Sequence, residues 1–333
     1  MTSIDRLLST AAMLCALFLV ACQAASQPKA TVPEQTPTSD ALQPLNSSKT
    51  LLFDSSRTGN FEIFLHQPAK KLTQLSQDKQ FDSWWPRLSP NGQKILFYRA
   101  PAGVHDRDYS KVSLWLMDVN GSNLKQLRAA KTNGWAQQGH AEWSPNGEQL
   151  VMFGGGRLSP QIFITDANGQ NPRQITKRAG VNLDPAWSPD GKSIVFVACP
   201  AAICFESSYE IYILTLENSK LQRLSNNNLR DHDPYFSPDG QQVAWLTQTS
   251  TRGVAGEWNI QLSDVDGKNQ RWLTNDKQIN SKPAWSKNGK HIYFHRLEFK
   301  PNARFQIWQI DADGTNMQEI SPLQPGNNEY PTE

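Results

Sequence analysis

The feature that most constrains this chain is a short motif that keeps returning along it. An aromatic or apolar residue is followed by Ser-Pro-Asp/Asn-Gly and then by an apolar run. It reads Leu88-Ser-Pro-Asn-Gly92, Trp143-Ser-Pro-Asn-Gly147, Trp187-Ser-Pro-Asp-Gly191 and Phe236-Ser-Pro-Asp-Gly240. A fifth copy, Trp285-Ser-Lys-Asn-Gly289, has Lys287 in place of proline. The closing glycines stand 55, 44, 49 and 49 residues apart. A near-constant period of this size signals one supersecondary unit that needs its neighbours to bury its apolar face. Ser first, Pro second and Gly fourth suit a type I turn. Pro presets φ and Gly takes the left-handed conformation, so the motif joins two antiparallel strands. The runs that follow it, such as Lys94-Ile-Leu-Phe-Tyr98 and Ser193-Ile-Val-Phe-Val197, are β-branched and aromatic, as strands prefer.

A second motif completes each unit: a strand, a polar turn, and a strand ending in Leu/Ile-Thr/Ser. Gln161 to Thr176 and Gln306 to Ser321 are examples. Each unit therefore has four strands, a to d, with strand a innermost. The acidic turns Asp264-Val-Asp266-Gly267 and Asp311-Ala-Asp313-Gly314 lack the remaining ligands of a calcium loop and read as hairpin turns. Near the start, Leu51–Ser55, Phe61–Leu65 and Lys71–Leu75 read as strands b, c and d with no strand a before them. Glu329-Tyr-Pro-Thr-Glu333 matches a strand a, as in Asp184-Pro-Ala-Trp187. The expected fold is all-β: a six-bladed β-propeller of four-stranded blades, closed by the C-terminal strand pairing with the N-terminal ones.

Residues 1–21 read as a signal peptide: a short polar start, then an apolar run from Leu7 to Val20. That run is too short to span a bilayer and suits a secretory signal. It ends at Leu19-Val20-Ala21-Cys22, which resembles a bacterial lipobox, with Cys22 as the lipidated N-terminus. Gln23 after the cysteine points to the outer membrane, facing the periplasm. Residues 22–48, rich in Ser, Thr, Gln, Ala and Pro, read as a flexible tether, and residues 49–333 as the propeller. Cys199 and Cys204 then read as a disulfide across a hairpin loop in an oxidising compartment; half a metal site and a free thiol pair are the alternatives. A balance of 33 basic and 31 acidic residues with no basic run gives nucleic acid no electrostatic footing.

Over roughly residues 49 to 333 these repeats resemble the TolB-type propeller family. The resemblance implies a propeller built to bind a protein. TolB proteins of that family carry an α/β domain ahead of the propeller, where this chain has the tether.

The a–b and c–d turns are short and share one face. The b–c and d–a connections share the other, and there the chain spends its extra residues: Pro101 to Lys111, Cys199 to Ser208, Gln248 to Glu257 and Leu297 to Arg304. Functional variation concentrates on such loops. Counted blade by blade, Trp85, His140, Asp184, Asp233, Lys282 and Tyr330 should ring the channel mouth on this face, with Trp84 and Trp135 nearby. Exposed aromatics at a concave mouth would be binding anchors. Asp184 and Asp233 precede proline, where such residues also bond local backbone N–H groups. No Gly-x-Ser-x-Gly, His-Glu-x-x-His or phosphate loop is present. The expected role is therefore a non-enzymatic scaffold, without cofactor or metal, that binds an envelope protein or peptide. The alternative is a glycan or small ligand stacked on Trp84, Trp85 and Trp135, with Asp184, Asp233 and His140 as acid–base groups.

Overall fold

The computed structural model describes residues 50–333 except 69, 200, 202–204, 228, 251–255 and 321–325. The signal, Cys22 and the tether, and also Cys204, lie outside the described residues. The described residues open with β1 (Leu51–Ser55), β2 (Glu62–His66) and β3 (Thr73–Gln74). Next come β4 (Phe81–Leu88), β5 (Lys94–Pro101), β6 (Ser113–Asp118) and β7 (Lys125–Arg128). The third group is β8 (Gln137–Trp143), β9 (Gln149–Gly155), β10 (Pro160–Asp166) and β11 (Arg173–Gln174). The fourth is β12 (Asn182–Trp187), β13 (Ser193–Ala198), β14 (Glu210–Thr215) and β15 (Leu221–Arg223). Then follow β16 (Arg230–Phe236), β17 (Gln242–Ser250), β18 (Glu257–Asp264) and β19 (Arg271–Trp272). The chain ends with β20 (Ile279–Trp285), β21 (His291–Leu297), β22 (Gln306–Asp311), β23 (Gln318–Glu319) and β24 (Asn328–Thr332).

The strands form a β-propeller of four-stranded antiparallel blades. β4–β7, β8–β11 and β12–β15 are separate meanders, and β24 pairs with β1 to complete the sheet β24-β1-β2-β3. β16 to β23 form one eight-stranded sheet, in which two four-stranded meanders meet at a single parallel bridge, Trp258 to Ile279. Those two halves nevertheless face each other across a core: Ala244, Leu246, Ile260 and Leu262 pack on Ile292, Phe294 and Ile310. The same division runs round the molecule. Strand alternation sends Ile95 and Phe97 toward β1–β2, and Leu96 and Tyr98 toward Leu150 and Met152 of β9. Each such aliphatic or aromatic side chain contributes roughly 1.5–3 kcal/mol through burial.

The repeated turns behave as their residues dictate. In all five, the glycine N–H donates to the serine carbonyl at 2.8–2.9 Å. The glycine φ lies at 69–74°, where a β-carbon would add strain. The serine hydroxyl donates to the Asn or Asp two residues on, as from Ser144 to Asn146 at 2.7 Å. The missing proline at Lys287 has a local reason: its backbone N–H donates to Glu333 Oε2 at 2.6 Å, a bond proline could not make.

Candidate functional site

β4, β8, β12, β16, β20 and β24 share an irregularity. Trp85, His140, Asp184, Asp233, Lys282 and Tyr330 have φ of 58°, 48°, 49°, 50°, 56° and 52°. The pairing register of each strand slips at the same place. A left-handed residue inside a strand forms a bulge that re-aims its side chain, and in non-glycine residues this conformation is uncommon. Groups from the blade before satisfy several backbone N–H groups freed by the bulges. Trp85 N–H donates to Asp54 Oδ1 (3.3 Å), Asp233 N–H to Asp184 Oδ2 (3.4 Å) and Tyr330 N–H to His295 Nδ1 (3.0 Å). Ala141 N–H donates to the Tyr98 hydroxyl.

These bulges bring the six side chains toward one another. His140 Nδ1 lies 2.7 Å from Asp184 Oδ1 and 3.8 Å from Asp233 Oδ1. His232 Nδ1 lies 2.8 Å from Asp184 Oδ2, and the Lys282 ammonium 2.9 Å from Asp233 Oδ2. Burial alone would raise the Asp184 carboxyl; His140 and His232 outweigh it and hold it well below the usual range. Burial alone would lower Lys282; Asp233, Asp106 and Asp184 reverse that and keep the ammonium charged. Donor atoms of His140, Asp184 and Asp233 fall within 4.8 Å of one another, close enough to share a cation, and Lys282 already supplies one beside Asp233.

A cavity of about 440 Å³ opens above this cluster. Its floor includes His140, Asp184, Asp233 and Lys282, and its rim includes Arg157, Glu206, Tyr209, Arg230 and Trp258. Hollows of about 510 and 540 Å³ lie among hairpin-turn residues such as Pro189, Gly240 and Asp166. Neither gathers oppositely charged groups from several inner strands, so the mouth is the stronger candidate despite its smaller volume.

The TolB beta propeller domain family matches residues 201–332. An uncharacterised protein of Agrobacterium fabrum is 32% identical over 103 residues, 30% of this chain and 34% of that protein. A TolB homologue of Chlorobium luteolum is 27% identical over 151 residues, 44% of this chain and 31% of the homologue. The propeller of this chain is similar to that of the TolB family. The matched stretches span about a third of the length of these relatives. Among solved structures, TolB from Acinetobacter baumannii superposes with a TM-score of 0.65 at 16% identity, covering 85% of this chain and 66% of that one. A chain of the nidogen–laminin complex gives 0.61 at 12% identity, covering 85% and 97%. At such identities the likeness concerns the fold.

Four of the sequence expectations for this TolB-like propeller need correction. Trp84 is fully buried, packed between blades near Tyr98 and His105. Trp85 reaches the channel but is only 1% exposed, packed in tilted contact with the rings of His140 (4.3 Å) and Tyr330 (4.9 Å) and with the Arg87 guanidinium 4.3 Å from its ring. Trp135 does not line the cavity; it sits on β9 and β10, against Phe163 and over Gly154, where any β-carbon would meet its ring at 2.2 Å. Tyr330 is also buried, at 2%. Six side chains must share a narrow lumen, so the bulkiest fill it rather than line it. None of the three tryptophans is therefore presented as a stacking platform.

Sequence reasoning missed Asp106, Tyr109, His232, Arg230 and Trp258, all of which reach the cavity. Asp106 and Tyr109 lie in the flagged Pro101–Lys111 insertion, so their region was legible and their aim was not.

One residue before His232, Asp231 is fully buried. Burial pushes its carboxyl up to about 7, against bonds from Thr247 and Asn227. Its folded value exceeds its unfolded one near 3.8. Its contribution is therefore full below about pH 4 and is lost as pH rises through 7, a swing on the order of a few kcal/mol. Urea titrations at pH 5 and 8 should show the wild type losing stability across that window and Asp231→Asn losing distinctly less. Equal losses in both proteins would refute this assignment.

Proposed function

We propose that this TolB-like propeller is a protein-binding scaffold of the cell envelope that offers its b–c and d–a loop face to a partner protein or peptide. The cavity above His140, Asp184, Asp233 and Lys282 carries the reading: paired charges converge from four inner strands, and an aromatic and arginine rim stands around them. Concave sites with a few converging polar groups are where ligands bind, and Tyr, Trp and Arg are the residue types that anchor partners.

The reading includes a ring of six blades, with the eight-stranded sheet counted as two. Six bulged inner strands and the core between the two halves of that sheet support this count. It also includes lipidation at Cys22, with the tether giving reach from the outer membrane into the periplasm, and a Cys199–Cys204 disulfide that stiffens the loop before Tyr209. Cys199 is buried just after β13, which suits a structural role. Mass spectrometry of the mature N-terminus and of non-reduced peptides tests both assignments.

The function itself is tested by photo-crosslinking in intact cells. A probe replaces Arg157 on the rim, where the side chain is 67% exposed. A control probe replaces Lys268, 78% exposed on a c–d turn of the other face. A discrete protein adduct from position 157 alone is the expected result. Adducts of equal yield from both positions, or none from position 157, would sink the reading.

A further inference from the structure

At the centre of the mouth the propeller already holds a carboxylate, and it is one of its own. Asp106 lies in the Pro101–Lys111 insertion between β5 and β6, at φ 50°. Its two carboxylate oxygens accept from two phenols, Oδ1 from Tyr109 of the same loop and Oδ2 from Tyr330 on β24, 224 residues away. The Lys282 ammonium, 5.5 Å from the Tyr330 ring centre, faces the same space. Burial alone would push the Asp106 carboxyl up. The charge of Lys282 and the two hydroxyls outweigh it and hold the group below the usual carboxylate range. An anion is thus stabilised in a half-buried position by the phenol of Tyr330 on an inner strand, the phenol of Tyr109 on its own loop and the charge of Lys282, while a surface loop delivers that anion.

The loop is latched on the opposite side of Asp106 as well. Gly103 and His105 N–H groups donate to Asp82 Oδ2 at 2.7 and 3.2 Å. The His105 ring stacks on Phe61 at 3.5 Å, with Nε2 3.2 Å from Asp54. Lys282 and Tyr330 belong to bulged strands at the equivalent ring position, so the frame of this seat is part of the propeller and does not depend on the insertion. A charged group desolvated this way persists only where its partners are well placed. The same partners would serve any carboxylate of similar reach.

We propose that Lys282 and Tyr330 form a carboxylate seat, filled by Asp106 in the resting protein and by an acidic side chain of an extended partner peptide on binding. The proposal rests on the reading that a peptide docks at this mouth, and names the chemistry it brings. A side-chain carboxylate is favoured over a chain terminus because the present occupant is a side chain carried by a loop that passes across the mouth and continues.

The test removes the built-in occupant. Asp106→Gly keeps the positive φ without strain and empties the seat. Its melting temperature should fall, and sodium acetate should restore it in a saturable way at constant ionic strength, with no such effect on the wild type. Equal responses to acetate and chloride would overturn the seat. Acetyl-Gly-Asp-Gly-amide should bind Asp106→Gly at least tenfold more tightly than the wild type, and the Asn version of the probe should bind neither. Equal affinity of the Asp probe for both proteins would overturn the exchange. If Asp106→Gly does not melt cooperatively, Asp106→Asn keeps the volume and removes the charge. It must also melt below the wild type, and a wild-type melt would overturn the proposal. Cross-linking from position 157 separates the two levels: an adduct without acetate rescue leaves the scaffold and removes the seat, whereas rescue without an adduct leaves the seat and removes the scaffold.

Discussion

Deletion of Asn328–Glu333 is expected to cost at least about 5 kcal/mol and to leave a chain without a single cooperative melt. The segment holds β24, the inner strand of the sheet β24-β1-β2-β3, so its loss exposes the edge of β1, from Leu51 to Ser55, all of it buried. Tyr330, 2% exposed, leaves a cavity of the kind that costs about 3–5 kcal/mol for a large aromatic. Each lost ladder bond adds about 1 kcal/mol. The closure also carries its own pH dependence. Glu329 sits opposite Asp54 across the ladder. Burial pushes both carboxyls up, Glu329 to about 8. The folded value lies above the unfolded one near 4.5, so the contribution is full below about pH 4.5 and is lost as pH rises through 8. Thermal and urea unfolding at pH 6 and 9 measure both effects. A truncated chain with the wild-type midpoint would refute the closure, and a wild type equally stable at both pH values would refute the titration.

The strand order and the closure were legible because they rest on short-range chemistry. Ser-Pro-Asn-Gly at 89–92 fixes a turn with one serine, one proline and one glycine, whatever surrounds it. Period also placed the six ring residues, since equivalent positions of equivalent strands must converge at the axis. Depth was not legible. Trp85 and His140 occupy the same register, yet nothing in a repeat says which side chain fills the lumen and which faces the cavity. That depends on summed volume. Trp135 was misplaced because it precedes β8 instead of lying on it, and its position depends on the absent side chain of Gly154. Asp106 was out of reach for a third reason. Its partner Tyr330 is at the other end of the chain, and the loop that joins them carries no repeat from which to read its path.

Trp85→Ala is expected to destabilise the propeller by about 3–5 kcal/mol, the usual cost of emptying a buried tryptophan site, and to loosen the mouth as well. The indole is the central contact of the lumen. The rings of His140 and Tyr330 pack against it at a tilt, and the Arg87 and Lys282 cations lie 4.3 and 4.9 Å from its ring. Its Nε1–H donates to Glu142 Oε1 at 3.3 Å, the oxygen that also receives Arg87 Nε–H at 2.5 Å and the Tyr235 hydroxyl at 3.0 Å. Removing it takes support from both charged clusters at once. Phe97→Ala is the control, since Phe97 is equally buried but packs in the core between β1–β2 and β5, away from the channel. Urea midpoints should fall by similar amounts in the two variants. Cross-linking from position 157, measured where both remain folded, should fall several-fold in Trp85→Ala and stay near the wild-type level in Phe97→Ala. If both variants retain the adduct, the indole is core material alone and the mouth keeps its geometry without it; if both lose it, the loss reports stability and says nothing about the lumen.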